Sequence, residues 1–449
     1  MMNYGALGAI CPLIGQHLAA IGFSGTQIGT ITSMGTFAAI FAITFWGDKA
    51  NASRNKDVIL AFLCMTAACF SFVLMEIRVF IMFMMVYAVY YFFQQPISAL
   101  SDAMTIGDGK PFNIVRMWGA IGYAVSVFVA GKLAKDDDLS IIFIISTVCF
   151  VLAAVDVYMI DKEKKLKNGI TAEAAEIEKR YSRIEVDDAD GFTNDRVKDL
   201  LDDYQELKID NDLCIDEEPH IHTKAKKKNN TIYALNKDKK DETFRKATEK
   251  AAKRESRGRL INNKKYIKYL ICVFFIGGTN IANNVYFGFL YKEAGGDVAG
   301  IGLAFLLMAG SEAPFMAICG RLGKKIGVEK LILISTLISV GRFAWYGTVP
   351  HWTLLIGLFF LQGMVNGILL VELVNYVAKV VDARDLSLAV SIYYVVSSSI
   401  SAIVCQMIGG IILDIAGCSG VYFFCSIFNL IGAILYVTFG FCKKTNKSN

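Results

Sequence analysis

The chain has 449 residues, of which 54% are hydrophobic, and carries a formal net charge of +5. Residues 161–262 hold 24 Lys/Arg and 24 Asp/Glu, more than half of all the charges, so the remainder is far too apolar for an ordinary soluble globule. The basic excess lies in that apolar remainder, where it reports on orientation in a membrane, and no nucleic-acid partner is expected.

The first apolar run, near 3–22, begins at once, with no basic leader and no small-residue cleavage pattern, and is expected to be a membrane span instead of a signal peptide. It is shorter than its later counterpart and has no basic residue ahead of it, which predicts a longer helix starting before Met1. Runs near 26–46, 58–76, 79–102, 113–133 and 140–160 complete a set of six, each able to cross about 30 Å of hydrocarbon with roughly 20 residues. Gly47-Asp48-Lys49, with Arg54 and Lys56 beyond, predicts a charged turn where close helix approach needs glycine and where a cytoplasmic gate latches. Asp102 ends the fourth run and Arg116 opens the fifth.

Residues 161–218 carry 10 basic and 19 acidic side chains, and residues 219–262 carry 14 and 5. Too little apolar area remains there to build a core, which predicts a largely disordered linker whose basic stretch 243–259 suits anionic lipid headgroups. His220 and His222 beside Glu217 and Glu218 read as chance neighbours in a solvated tract. Eleven cysteines show no CxxC pair and no zinc spacing, so neither a metal nor a cofactor is expected.

A second set of runs follows near 264–291, 299–319, 328–347, 353–378, 386–413 and 420–441, with Gly320-Arg321 before Lys324 and Lys325 as the counterpart of the first charged turn. The stretch Gly25 to Gly29 aligns with Val298 to Gly302, and the same offset carries Gly47 onto Gly320. The fold class that follows is an all-α membrane protein of twelve transmembrane helices in two six-helix bundles, 1–160 and 263–442, joined by the linker 161–262 and ending in a tail, 443–449. Sixteen Lys/Arg of the short loops fall on one side and four on the other, which predicts a cell-membrane protein with both termini and the linker in the cytoplasm.

An ionisable group inside a span costs at least roughly 2.5 kcal/mol, so the few present are candidates for function. They are Asp102, Arg116, Glu312 beside Pro314, Arg342 and Glu372. A carboxylate in a low-dielectric cavity gains proton affinity and a nearby guanidinium opposes that gain, which is the chemistry of proton coupling; Asp102, Glu312, Arg342 and Glu372 are assigned to it. Static ion pairs, Asp102 with Arg116 and Arg342 with Glu312 or Glu372, are the structural alternative. Asn280, Asn284, Asn366 and Tyr393 are expected to line a polar cavity, with Asn283, Gln362, Tyr394, Ser397, Ser398 and Gln406 as further candidates.

The stretch from Gln95-Pro96 to Asp102, the run Arg116-Met117-Trp118-Gly119-Ala120-Ile121-Gly122-Tyr123, Trp46-Gly47-Asp48-Lys49, Ser311-Glu312-Ala313-Pro314 and Arg342 together resemble the lactose permease-like branch of the major facilitator superfamily. That branch includes phenylpropionate permease and nucleoside:proton symporter relatives, and the resemblance covers both halves without the linker. It implies that Arg116 holds solute hydroxyls, that Tyr123 stacks on the solute and that Arg342 works beside a proton-carrying carboxylate. The family's fourth-span glutamate falls on Ser98, and its tenth-span histidine and glutamate fall near Gln362 and Val365, so lactose itself is a poor fit.

The expected function is secondary active transport, by alternating access, of a small polar organic solute (a saccharide, nucleoside or aromatic acid) in symport with protons, by a monomer. Proton-antiport efflux and a non-transporting membrane sensor or scaffold are the alternatives. An enzyme is not expected, because no nucleophile triad, metal cluster or phosphate-cradling glycine loop is present and His17, His220, His222 and His351 are scattered.

Overall fold

The computed structural model describes residues 1–53, 55–107, 112–135, 138–187 and 257–441. Among them every regular element is helical, apart from one isolated antiparallel bridge between Lys135 and Asp138. Large apolar side chains such as Phe41, Phe72, Ile81 and Ile415 are exposed, while Thr32, Gln94, Thr279, Asn283 and Gln362 are buried. This polarity is inside-out relative to a water-soluble protein and fits helices whose outer faces meet lipid.

Eight helices among the described residues are long and apolar enough to cross a membrane. The remaining traverses of the twelve-span chain each have a local reason for falling outside that criterion. The first is broken into Met2–Ile10 and Ile14–Ala20, because Pro12 lacks an N–H and its ring clashes with the carbonyl one turn back. The fifth is Phe112–Leu133, of which Trp118–Leu133 is the apolar part, and the ninth, Val328–Tyr346, contains Glu329, Lys330 and Arg342. The last two run together as Leu386–Tyr394, a π-helical turn Val395–Ile400, and Ser401–Thr438, in which Gly417 at φ 63° breaks the helix between span eleven and span twelve. Only glycine takes that backbone conformation without steric cost.

The other spans are Gly25–Ala52, Lys56–Glu76, Phe80–Gly107 and the helix starting at Ile141 in the first half. In the second half they are Lys264–Glu293, Val298–Ile326 and the tenth, Trp352–Leu358 with Phe360–Val380. The repeat extends to the helix caps. Ser24 accepts the Gln27 N–H at 3.3 Å and Asp297 accepts the Gly300 N–H at 2.9 Å, cap and donor occupying equivalent places in the two halves.

By their contacts the residues form one unit of Met1–Val155 with Glu249–Asn449 and another of Asp156–Thr248. The sixth-span helix does not stop at 160 but continues to Asp187, since the residues that follow include the strong helix formers Lys, Glu and Ala. Residues 188–256, with His220, His222 and most of the basic stretch 243–259, lie outside the described residues, as do Lys110, Arg54 and the tail from 442.

Within the first unit the two halves meet along two seams related by the repeat, span two against span eleven and span five against span eight. A Cβ on Gly25 would lie 2.7 Å from the Gly410 carbonyl oxygen, and one on Gly302 would lie 2.8 Å from the Val127 carbonyl oxygen. Both contacts lie at the ends opposite Gly47 and Gly320, where an added Cβ would meet nothing within 4 Å.

Candidate functional site

Spans seven, eight, ten and eleven enclose a cavity of about 220 Å³. Asn280 and Asn284 are one turn apart on span seven and therefore share a face. Glu312 comes from span eight, Asn366 from span ten, and Tyr393, Ser397 and Ser398 from span eleven. Ile276, Ile281, Leu369, Leu370 and Leu373 supply the apolar part of the wall. Three carboxamides, a carboxylate, a phenol and two hydroxyls over an aliphatic surface form a lining that pairs many hydrogen bonds with desolvation, suited to a small polyhydroxylated solute.

The approach of span eleven is set by small residues. Its Ser397 carbonyl packs on Gly277, and Ser401 Oγ accepts the Gly278 N–H at 2.9 Å while donating to the Phe274 carbonyl. The π-helical turn carries Ser397 and Ser398, both in the cavity wall. Such turns occur mostly at functional sites, because the extra residue re-aims the side chains around it.

Seven of the sequence-selected residues, Asn280, Asn284, Glu312, Asn366, Tyr393, Ser397 and Ser398, therefore come together. Tyr123 is outside that lining, on span five. The Arg116 side chain lies outside the described residues, and with it the expected Asp102–Arg116 pair. Asp102 accepts hydrogen bonds from the Tyr4 hydroxyl at 3.3 Å on both carboxylate oxygens, joining span four to span one.

The alternative of a static ion pair at Arg342 needs correction. Arg342 pairs with neither Glu312 nor Glu372: it donates from Nη2 to Asn280 Oδ1 at 3.0 Å, and its guanidinium lies 4.4 Å from the Phe343 ring centre and 5.4 Å from that of Tyr346. Asn280, on the neighbouring span seven, takes the one strong contact. Glu372, 1% exposed, does not join Glu312 in the cavity. Its neighbours Leu369, Leu370 and Leu373 line the wall, whereas its own carboxylate turns to span eight, where a Cβ on Gly323 would lie 2.9 Å from Oε1, and takes Asn375 Nδ2 at 3.4 Å.

The gate expectation also changes. Gly47, Asp48 and Lys49 are inside the second helix, and Gly320 and Arg321 inside the eighth, because these helices run past the expected ends to Ala52 and Ile326. Neither glycine is at a close crossing, and Asp48, Lys49 and Arg321 are exposed, with Lys49 Nζ over the Phe45 ring at 4.8 Å. Arg259, grouped with the lipid-facing basic residues, instead holds the buried Asp385 at 2.6 Å and 2.9 Å, from a short helical segment just before span seven.

Asp414 was not among the selected residues. From span eleven it accepts the Gly25 N–H at 2.6 Å, the Thr26 N–H at 2.7 Å and the Thr26 hydroxyl at 2.6 Å, so one half caps a helix of the other. Its position just past a span expected to end at 413 was the available signal. The buried network in which Thr279 donates to Asn429 and Asn429 to Ser339, with Tyr422 donating to Asn283, was also missed, since it depends on how spans seven, nine and twelve cross.

Repeated six-span halves meeting in paired seams beside a polar cavity define a multi-pass secondary transporter. The MFS_1 like family model matches residues 1–424, and the chain belongs to that family. It is 25% identical over 435 residues to a maltose permease of Geobacillus stearothermophilus, covering 96% of this chain and 90% of that protein. It is 22% identical over 431 residues to the uncharacterized transporter YwbF of Bacillus subtilis (strain 168), covering 95% and 88%. The fold is similar to the crystal structure of the nucleoside transporter NupG, with a TM-score of 0.67, 14% identity and coverage of 97% of this chain and 96% of that one. It is also similar to that of a bacterial homolog of the human lysosomal transporter Spinster, with a TM-score of 0.63, 13% identity and coverage of 97% and 94%. The protein is a secondary active transporter of small solutes.

Proposed function

We propose that this transporter takes up a polyhydroxylated solute, a saccharide before a nucleoside, together with protons, and that Glu312 is where the two meet. The observation that carries the reading is the cavity itself, in which one carboxylate shares a wall with three carboxamides and three hydroxyls. The amides and hydroxyls bind hydroxyl groups, and a carboxylate in such surroundings releases its proton more readily when water enters than when a solute covers it. The similarity to a maltose permease supports the saccharide class. Glu372, enclosed between spans ten and eight, is the second carboxylate able to take a proton, and it acts without touching the solute. The family resemblance gives Arg116 and Tyr123 to the solute from the other half, and Asp102 is kept as a further candidate for proton coupling.

The excess of basic residues places both termini and the 161–262 linker in the cytoplasm of a cell-membrane protein. The seams at Gly25–Gly410 and Val127–Gly302 are then the outer gate, and Gly47, Asp48, Lys49, Gly320 and Arg321 belong to the cytoplasmic gate, where a Cβ on either glycine would meet nothing within 4 Å. The test is accumulation of labelled maltose or uridine in proteoliposomes with the outside acidic. Wild-type protein concentrates one of them, and Glu312→Gln abolishes that accumulation while retaining exchange across membranes without a gradient. Gradient-driven accumulation by Glu312→Gln at wild-type level removes Glu312 from the coupling step.

A further inference from the structure

Arg342 is 5% exposed and does not line the cavity, yet its Nη2 donates to Asn280, which does. Among the described residues its Nε and Nη1 have no hydrogen-bond partner, and the Phe343 and Tyr346 side chains are its other close neighbours. A guanidinium only donates. The atom of Asn280 that faces it is therefore the carboxamide oxygen. With Oδ1 pinned behind the wall, the two Nδ2 donors of Asn280 are the groups left for the cavity.

One turn further along span seven, Asn284 lines the same cavity, with its Oδ1 enclosed. Two carboxamides thus lie on one face of one helix, and the N–H donors at position 280 are left for a sugar-ring hydroxyl to accept. An unpinned Asn280 would flip to suit a donor or an acceptor and lose this discrimination.

We propose that Arg342 is a positioning residue for solute recognition, holding the Asn280 carboxamide so that the cavity presents the donors at 280 to a hydroxyl of the solute. This rests on the reading of the cavity as the solute site, and it gives Arg342 a task separate from proton coupling.

The test is equilibrium exchange of labelled maltose and of uridine in proteoliposomes at equal pH on both sides, where no net proton movement is required. Losing an oriented hydrogen bond raises KM about tenfold in Arg342→Gln, with the maximal rate within about twofold. Asn280→Ala gives a similar rise, and the double variant is no worse than either single one, because one contact has been removed twice. Arg342→Lys, which keeps a donor toward Oδ1, stays within about threefold of wild type. Multiplying losses in the double variant, or a fall in rate at unchanged KM, overturns the proposal. If Arg342→Gln does not reconstitute, Arg342→Lys combined with Asn280→Ala decides: a KM equal to that of Asn280→Ala alone supports the contact, and a further rise overturns it. A wild-type protein that exchanges neither solute overturns the reading of the cavity, and this inference with it.

Discussion

Asp414 sits on an exposed turn of span eleven, yet its carboxylate takes three donors from the first turn of span two. Charge-assisted bonds of this kind contribute about 1.5–3 kcal/mol each at most, less where water competes, and the helix dipole adds to them. Asp414→Asn keeps one acceptor and loses the charge, so the seam is expected to open several-fold more often. Labelling of Ser33→Cys, a buried seam position that donates to the Ile403 carbonyl at 3.1 Å, by a membrane-impermeant maleimide should speed up accordingly. An unchanged rate would mean that the glycine packing alone holds the seam. The cavity residues Asn280, Asn284, Glu312, Asn366 and Tyr393 were legible from sequence because a polar group in an apolar run needs a partner or water. Partner identities were not. That Arg342 meets Asn280 and that Asp414 meets Gly25 follow from helix crossings, which no local pattern encodes.

Helix positions were read closely, since length and apolarity decide them; the second and eighth helices begin at Gly25 and Val298, within a residue of the expected starts. Their ends were placed too early, because Asp, Lys and Arg end an apolar run without ending a helix. The π-helical turn Val395–Ile400 had no visible signature, as its composition is that of any apolar span. It is held by Gly277 and Gly278 against Ser397 and Ser401, and this makes two glycines unequal to others. Gly277→Ala drives a methyl into the Ser397 carbonyl and is expected to lower stability by about 1–3 kcal/mol. Gly320→Ala, with open space around it, is expected to be neutral or to gain up to about 1 kcal/mol from helix propensity. Thermal unfolding of the two purified variants measures the difference, and equal midpoints would contradict the packing account of span eleven.

At the scale of the whole molecule, the repeat gives two seams of matching construction, and both are closed at the same ends of their helices. Close packing of the two halves at one end is what one of the two states of alternating access requires. The segment leading out of the linker is tied in by the Arg259–Asp385 pair, in which Asp385 is 3% exposed. Replacing Asp385 by Ala removes this buried carboxylate from the Arg259 guanidinium, and an expected loss of roughly 1–3 kcal/mol in unfolding free energy, larger than for Arg384→Ala on the exposed side, would mark the pair as a structural anchor. The central claim, that solute and proton meet at Glu312, is tested most directly by solute-driven proton flux. Proteoliposomes holding a pH-sensitive dye, with no imposed gradient, receive maltose or uridine from outside. The account predicts that the interior acidifies with wild-type protein and does not with Glu312→Gln; solute entry with no proton movement in the wild type, or unaltered acidification in the variant, would contradict it.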